Sequence, residues 1–171
     1  MIVIPSLENK EKRKTFYLFN NIDFPIRACG ILFYRKNTNF EFLLINNYNR
    51  KTYEDFGGKT DDLDKSFIET AAREAEEESN GIFKKVDIIK NIGENYIYNK
   101  NFKYMLFVVE INKDFYNVDE SEFGDYEKID KIQRTVKWFT FDEIMDCDNL
   151  IARIDKNKLK KIMNKINLET F

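Results

Sequence analysis

A chain of 171 residues with a formal net charge of −2 is long enough to bury a core of its own, and it has no global positive field to draw in nucleic acid. It contains no histidine, which excludes serine–histidine–aspartate, cysteine–histidine and histidine–metal chemistry and leaves carboxylates, lysine, tyrosine or a metal ion. Its two cysteines, Cys29 and Cys147, are far apart and make no CxxC or disulfide framework, and no apolar run is long enough to cross a bilayer; a cytoplasmic setting without a membrane partner is expected.

Residues 1–24 read as an N-terminal extension, a strand or arm carrying Phe16, Tyr17 and Phe19. Its opening, MIVIPSLENKEKRK, is not a secretory signal, because the apolar run is too short and the charges follow it. Residues 27–35 and 40–46 read as two strands joined by a turn at Asn37–Asn39. A long loop over 47–65 contains a short strand, Tyr53–Phe56, and leads to a helix from Ser66 to Ser79. Residues 85–98 and 102–111 read as a second strand pair around Asn99–Asn101, followed by an acidic loop over Asp114–Asp130. A strand at Val136–Phe141 puts Trp138 and Phe139 on opposite faces; Asp142 then starts a short helix. Lys156–Asn167 reads as a last amphipathic helix, within a basic C-terminal segment, 151–171. Strands outnumber helices and alternate with them irregularly, which predicts a mixed β-sheet packed between helices, in one domain over 1–171.

The helix after Ser66 carries the most information. Ser66 with Glu69 three places on is a capping-box pattern, and Asn80-Gly81 suits a left-handed C-terminal cap. At about 100° per residue, Glu74, Glu77 and Glu78 fall within an arc of roughly 100°. Ile68, Ala71, Ala72 and Ala75 form an adjoining stripe of mostly small residues that lets the helix lie close to a sheet. Glu76 points to the far side, towards solvent, and Arg73 stands four residues from both Glu69 and Glu77 and can pair with either. Three carboxylates crowded near the wrong end of a helix dipole are unfavourable unless a cation joins them. A hard divalent ion with oxygen ligands, Mg²⁺ or Mn²⁺, is the expected cofactor, set against a solvated acidic face.

The segment Gly57–Gly81, GGKTDDLDKSFIETAAREAEEESNG, resembles the signature of the Nudix hydrolases, with Gly58, Arg73, Glu74, Ala75, Glu77 and Glu78 in matching places. The flanking Arg27-Ala28-Cys29-Gly30-Ile31 and Val136-Lys137-Trp138-Phe139, running into Asp142-Glu143, are similar to the family as well. The chain departs from the pattern in three respects. One extra residue lies between Gly58 and Arg73, Asp64 or Lys65 stands near the place of the family's early glutamate, and Asn80 replaces a glycine. The resemblance implies an α/β/α sandwich and a Mg²⁺-dependent hydrolase acting on a nucleoside diphosphate linked to another group. It also implies that Glu77 and Glu78 ligate metal, helped by the Gly57 carbonyl, and that Glu74 holds a second ion or orients the attacking water. Arg73 would hold the glutamates in place. Glu120 and Glu122, in the acidic loop, are the candidates for the later carboxylate that many such enzymes use as base or ligand, against a merely solvated loop.

The substrate is less legible. Lys59 can touch a phosphate or simply be an exposed loop lysine. Tyr96 and Tyr98 stand about where dinucleoside-polyphosphate hydrolases of this family stack a base, or else they pack a strand. The basic segment Arg153–Lys165 could track an RNA backbone, or form the solvated face above Ile154, Leu159, Ile162 and Ile166. Nucleotides, dinucleoside polyphosphates and mRNA caps are the expected substrates. Diphosphoinositol polyphosphates and a non-catalytic nucleotide- or RNA-binding module of the same fold are the alternatives; the oligomeric state is left open.

Overall fold

Alternation along the strands sets the layers. In β3 (Ala28–Lys36), Cys29, Ile31 and Phe33 are buried on one face and Leu32 and Tyr34 on the other. β4 (Phe40–Asn47) and β8 (Tyr104–Glu110) repeat the pattern, with Leu43, Ile45, Phe107 and Val109 opposed to Phe42, Leu44, Leu106 and Val108. Burial on both faces explains why these strands read as near-continuous apolar runs. The computed structural model describes residues 13–169; the first half of the expected N-terminal extension and the last two residues of the basic segment lie outside the described residues.

The main sheet runs β7 (Tyr96–Asn99), β8, β3, β4, β10 (Ile132–Thr140), β9 (Tyr126–Glu127). β3 and β8 are parallel and the other pairs antiparallel, so the sheet is mixed. One face packs against α1 (Phe67–Glu78) and α2 (Lys85–Asn91), and the other buries Ile144 of α3 (Phe141–Asp146) and Leu159 and Met163 of α4 (Lys156–Glu169). This is the α/β/α sandwich expected from the sequence. Trp138 and Phe139 enter opposite cores.

β3 and β4 pair only over Phe33–Lys36 and then diverge. The space between them is filled by β5 (Thr52–Glu54), which pairs with β4, and β6 (Phe56–Lys59), which pairs with Ala28–Ile31 of β3. The expected single strand at Tyr53–Phe56 is therefore two short strands that change partner at Asp55. Of the expected extension, β1 (Phe16–Tyr17) pairs with β2 (Pro25–Ile26), and the Phe16 ring meets Phe67 edge-on at 6.4 Å between centroids.

One element differs in kind from the sequence reading. Residues 85–91 form α2, and only 96–99 form the strand that pairs with β8. A short run such as Val86-Asp87-Ile88-Ile89 satisfies either period, and tertiary capping decides. The Glu76 carboxylate accepts the Lys85 N–H at 2.6 Å at the head of α2, so Glu76 is not merely solvated. The acidic loop also has structure of its own, with short 3₁₀ turns at Lys113–Phe115 and Glu120–Phe123 before β9.

Candidate active site

α1 starts and ends where its sequence says it should. Ser66 Oγ accepts the Glu69 N–H at 3.1 Å. Asn80 and Gly81 both take positive φ, 53° and 77°, and Gly81 N–H returns to the Glu76 carbonyl at 2.8 Å, closing the last turn. Ala71, Ala72 and Ala75 are fully buried against the sheet. That close approach turns Arg73, Glu74, Glu77 and Glu78 towards a cavity of about 910 Å³. Gly57, Gly58, Lys59 and Thr60 of the β6 strand and its exit line it as well, as do Glu54, Glu127, Asp130, Arg134 and Arg153.

The paired glycines are needed for close packing. A Cβ on Gly58 would overlap the Glu74 carboxylate, and one on Gly57 would overlap the Tyr104 hydroxyl. With both absent, the β6 backbone lies directly on the acidic face, and Gly57 N–H donates to Glu78 Oε2 at 2.8 Å.

Arg73 is the hub of the face, and its principal partner is neither Glu69 nor Glu77. Its guanidinium makes a two-pronged pair with Asp64, Nε to Oδ1 at 2.9 Å and Nη2 to Oδ2 at 3.0 Å. It also donates to Glu74 Oε1 at 2.8 Å and to the Lys59 carbonyl at 2.9 Å, and it reaches Glu77 Oε1 only at 3.5 Å. Glu69 pairs instead with Lys85 at 2.9 Å. Asp64 is buried and also accepts from Thr70 Oγ1 and the Asp61 N–H, both at 2.8 Å. Burial pushes its carboxyl up, but Arg73, Asp61 N–H and Thr70 outweigh that and hold it below the ordinary carboxylate range. The residue standing near the missing early glutamate thus anchors Arg73, from a turn closed by the Asp64 N–H on the Asp61 carbonyl.

The three helix carboxyls are all shifted the other way. Burial raises Glu74 to about 7, eased by Arg73 and reinforced by Glu77 and Asp130. Burial also raises Glu77, against Arg73 and with Asp130 and Glu127. Glu78 is raised well above the ordinary range, by burial first and by the Glu74 charge second. As they stand, the three do not converge on one point: Glu74 and Glu77 turn to Arg73, and Glu78 folds back on Gly57 N–H. Among the described residues, no group of three acidic, cysteine or histidine side chains forms a ready-made metal cage.

The structure does not bring Glu120 and Glu122 to the cavity. Glu120 Oε1 accepts the Trp138 N–H at 2.8 Å, and Glu122 caps its own turn through the Asp119 N–H at 3.1 Å. Glu127 and Asp130 line it. Glu127 is buried and spends both oxygens on the Ile129 and Asp130 N–H groups, whereas Asp130 is exposed. Tyr96 and Tyr98 also lie outside the cavity; Tyr98 Oη donates to the Pro25 carbonyl at 2.8 Å. Lys59 lines it and is exposed.

Four further residues at the cavity or behind it have no local sequence signal. Arg134, itself buried, donates to the Phe123, Gly124 and Glu78 carbonyls at 2.9, 2.8 and 2.6 Å, pinning the end of α1. Asp55, fully buried, accepts Arg153 Nε at 2.7 Å and the Tyr104 hydroxyl at 2.5 Å, while the Arg153 guanidinium lies 4.4 Å from the Tyr104 ring centre. The basic segment is likewise not one free face. Lys156 Nζ donates to the Met145 and Cys147 carbonyls and Lys158 Nζ to Tyr98, leaving Lys160, Lys161 and Lys165 exposed.

The NUDIX domain model matches residues 24–162, so the chain belongs to the Nudix family. Solved structures share the fold. An Ap4A hydrolase from C. elegans has a TM-score of 0.54 at 19% identity, over 82% of this chain and 98% of that one. A NUDIX hydrolase from Listeria monocytogenes has 0.57 at 13%, over 84% and 95%. The NUDIX domain of Shewanella oneidensis NrtR, complexed with ADP ribose, has 0.54 at 11%, over 81% and 88%. No curated protein sequence matches the chain. Among the described residues, no helix is long and apolar enough to cross a membrane.

Proposed function

We propose that this chain is a divalent-metal-dependent pyrophosphohydrolase acting on a nucleoside diphosphate joined to a further group. The observation that carries the reading is the cluster of Glu74, Glu77 and Glu78, all with raised proton affinity, along one wall of a cavity of about 910 Å³. Family membership supports hydrolysis, and the C. elegans Ap4A hydrolase and the ADP-ribose-bound NrtR domain support a nucleotide-type substrate.

The donor set fits Mg²⁺ or Mn²⁺: hard carboxylate oxygens whose charged state is disfavoured until a cation arrives, with backbone of Gly57 beside them. A bound divalent ion would neutralise the diphosphate and acidify a water molecule. Glu77, Glu78 and the Gly57 carbonyl are the proposed ligands. Glu74, on the same face of α1, is the proposed group that orients the water and takes its proton. The water oxygen then bonds to one phosphorus, and the bridging oxygen leaves on the other. Arg73, fixed by Asp64, reaches both Glu74 and Glu77 through one amino group and so orients the two carboxylates. Asp130, exposed at the cavity wall, is the proposed later-loop carboxylate in place of Glu120 and Glu122.

The test is a hydrolysis screen over ADP-ribose, dinucleoside polyphosphates, nucleoside triphosphates, capped RNA and diphosphoinositol polyphosphates, with Mg²⁺ and with chelator. Mg²⁺-dependent release of a nucleoside phosphate from one of the nucleotide substrates is expected. Turnover restricted to diphosphoinositol polyphosphates would move the chain to that substrate class. Tight nucleotide or RNA binding without turnover would make it a binding module.

A further inference from the structure

The cavity wall presents an anion with a difficulty. Glu54, Glu74, Glu77, Glu78, Glu127 and Asp130 all line it. The neighbouring cations are mostly occupied. Arg73 is saturated by Asp64, Glu74 and the Lys59 carbonyl. Both Nη atoms of Arg134 are committed to carbonyls. The Arg50 side chain is 63% exposed and pairs with Glu54 at 2.8 Å, and Lys59 stands in solvent.

Arg153 is different. It comes from the segment between α3 and α4 and is held on two sides. Nε donates to Asp55, which lies 98 residues away in sequence, and the guanidinium plane rests over the Tyr104 ring. The Tyr104 hydroxyl donates to the other oxygen of Asp55, so all three groups lock one another. The Arg153 side chain is 14% exposed and lines the same cavity as the α1 carboxylates. Among the described residues only Nε makes a hydrogen bond, and neither Nη is sealed off without a partner. A planar guanidinium fixed at Nε and at its face, with its two amino groups open to a cavity, is a preorganised fork for tetrahedral oxyanions.

We propose that Arg153 is a substrate-binding residue whose amino groups grip non-bridging oxygens of the diphosphate in the cavity that the α1 carboxylates also line. This rests on the pyrophosphohydrolase reading and adds a phosphate contact from outside the Gly57–Gly81 segment. Asp55 and Tyr104 are then positioning residues for the fork. The Asp55 carboxylate pairs the Arg153 charge at rest.

The experiment is isothermal titration of Mg²⁺ alone, Mg²⁺ with inorganic pyrophosphate, and pyrophosphate without metal. It uses the wild type, Arg153→Lys and the double variant Asp55→Asn with Arg153→Gln, each checked by thermal unfolding. Lys keeps the charge beside Asp55 but removes the fork; the double variant removes both charges and leaves no buried carboxylate unpaired. Pyrophosphate affinity should fall about tenfold in Arg153→Lys and further in the double variant, with Mg²⁺ affinity within about threefold of wild type. Full rescue by Lys would reduce Arg153 to a counter-charge for Asp55 and overturn the proposal, as would unchanged pyrophosphate binding in a folded double variant. If the wild type took up no Mg²⁺, the metal reading would fail. The same ranking in metal-free pyrophosphate would then still support Arg153, and its absence there would overturn it.

Discussion

α1 and α4 are both heavily charged amphipathic helices, yet their charges have opposite fates. The carboxylates of α1 stand beside a fully buried alanine stripe and a strand whose Gly57 and Gly58 admit no side chain, and burial pushes all three up. In α4 the buried residues are Leu159 and Met163, and its lysines either tie off carbonyls or point to solvent. Charge density alone therefore does not mark a site. What separates the two helices is how closely the backbone approaches the sheet, because that sets how much water the charges keep.

The largest expected effect lies on α1. Glu77→Gln should reduce Mg²⁺-dependent turnover by more than about 100-fold, beyond the usual cost of losing an outer partner of a metal ligand. The fold should persist, as judged by circular dichroism. Unchanged turnover would put α1 in the same category as α4.

Asp64→Ala should come next. It breaks a buried two-pronged pair, which costs about 3–5 kcal/mol, and the 23% exposure of the Arg73 side chain favours the lower end. Chemical denaturation measures it; a change under about 1 kcal/mol would mean that Arg73 needs no anchor. Because the Asp64 carboxyl is depressed in the fold, its stabilisation is present above its ordinary value of 3.8 and is lost as pH falls through the lower folded value.

The pH dependence of Glu74 has the opposite sign. Its folded value of about 7 lies above the ordinary 4.5, so the folded state holds the proton more tightly. The stability this group contributes is complete below about pH 4.5 and lost as pH rises through about 7. In chelator, thermal scans from pH 5 to 8 should show the wild type losing stability relative to Glu74→Gln, and Mg²⁺ should narrow that gap. Parallel curves for the two proteins would remove the claim that burial of this face is costly.

The smallest effect is expected on α4. Replacing Lys160, Lys161 and Lys165 with Gln should leave stability within about 0.5 kcal/mol and capped-RNA binding unchanged, as for isolated surface substitutions. A weaker, less salt-dependent RNA affinity would break the contrast between the helices and revive the basic segment as a nucleic-acid contact.

Most of the sandwich was legible because β3, β4 and β8 are apolar runs of strand length and α1 carries a helical period and both caps. The misread stretch, α2, was short, and its head is capped by Glu76 from another helix, which no local pattern announces. The α1 face of the site was legible for the same reason that its helix was. Its supports were not: Arg73 reaches Asp64 across nine residues, Arg134 reaches Glu78 across 56, and Arg153 reaches Asp55 across 98. Position in the acidic loop does not tell which carboxylate faces the cavity: the 3₁₀ turn directs Glu120 to the backbone of Trp138, and Asp130, further along the chain, lines the cavity.

The most direct test of the account is anomalous diffraction from crystals soaked in Mn²⁺. The account requires a peak in the cavity within about 2.0–2.6 Å of a Glu77 or Glu78 carboxylate oxygen, with Glu78 drawn away from Gly57 N–H. A peak elsewhere, or none at saturating Mn²⁺, would contradict it.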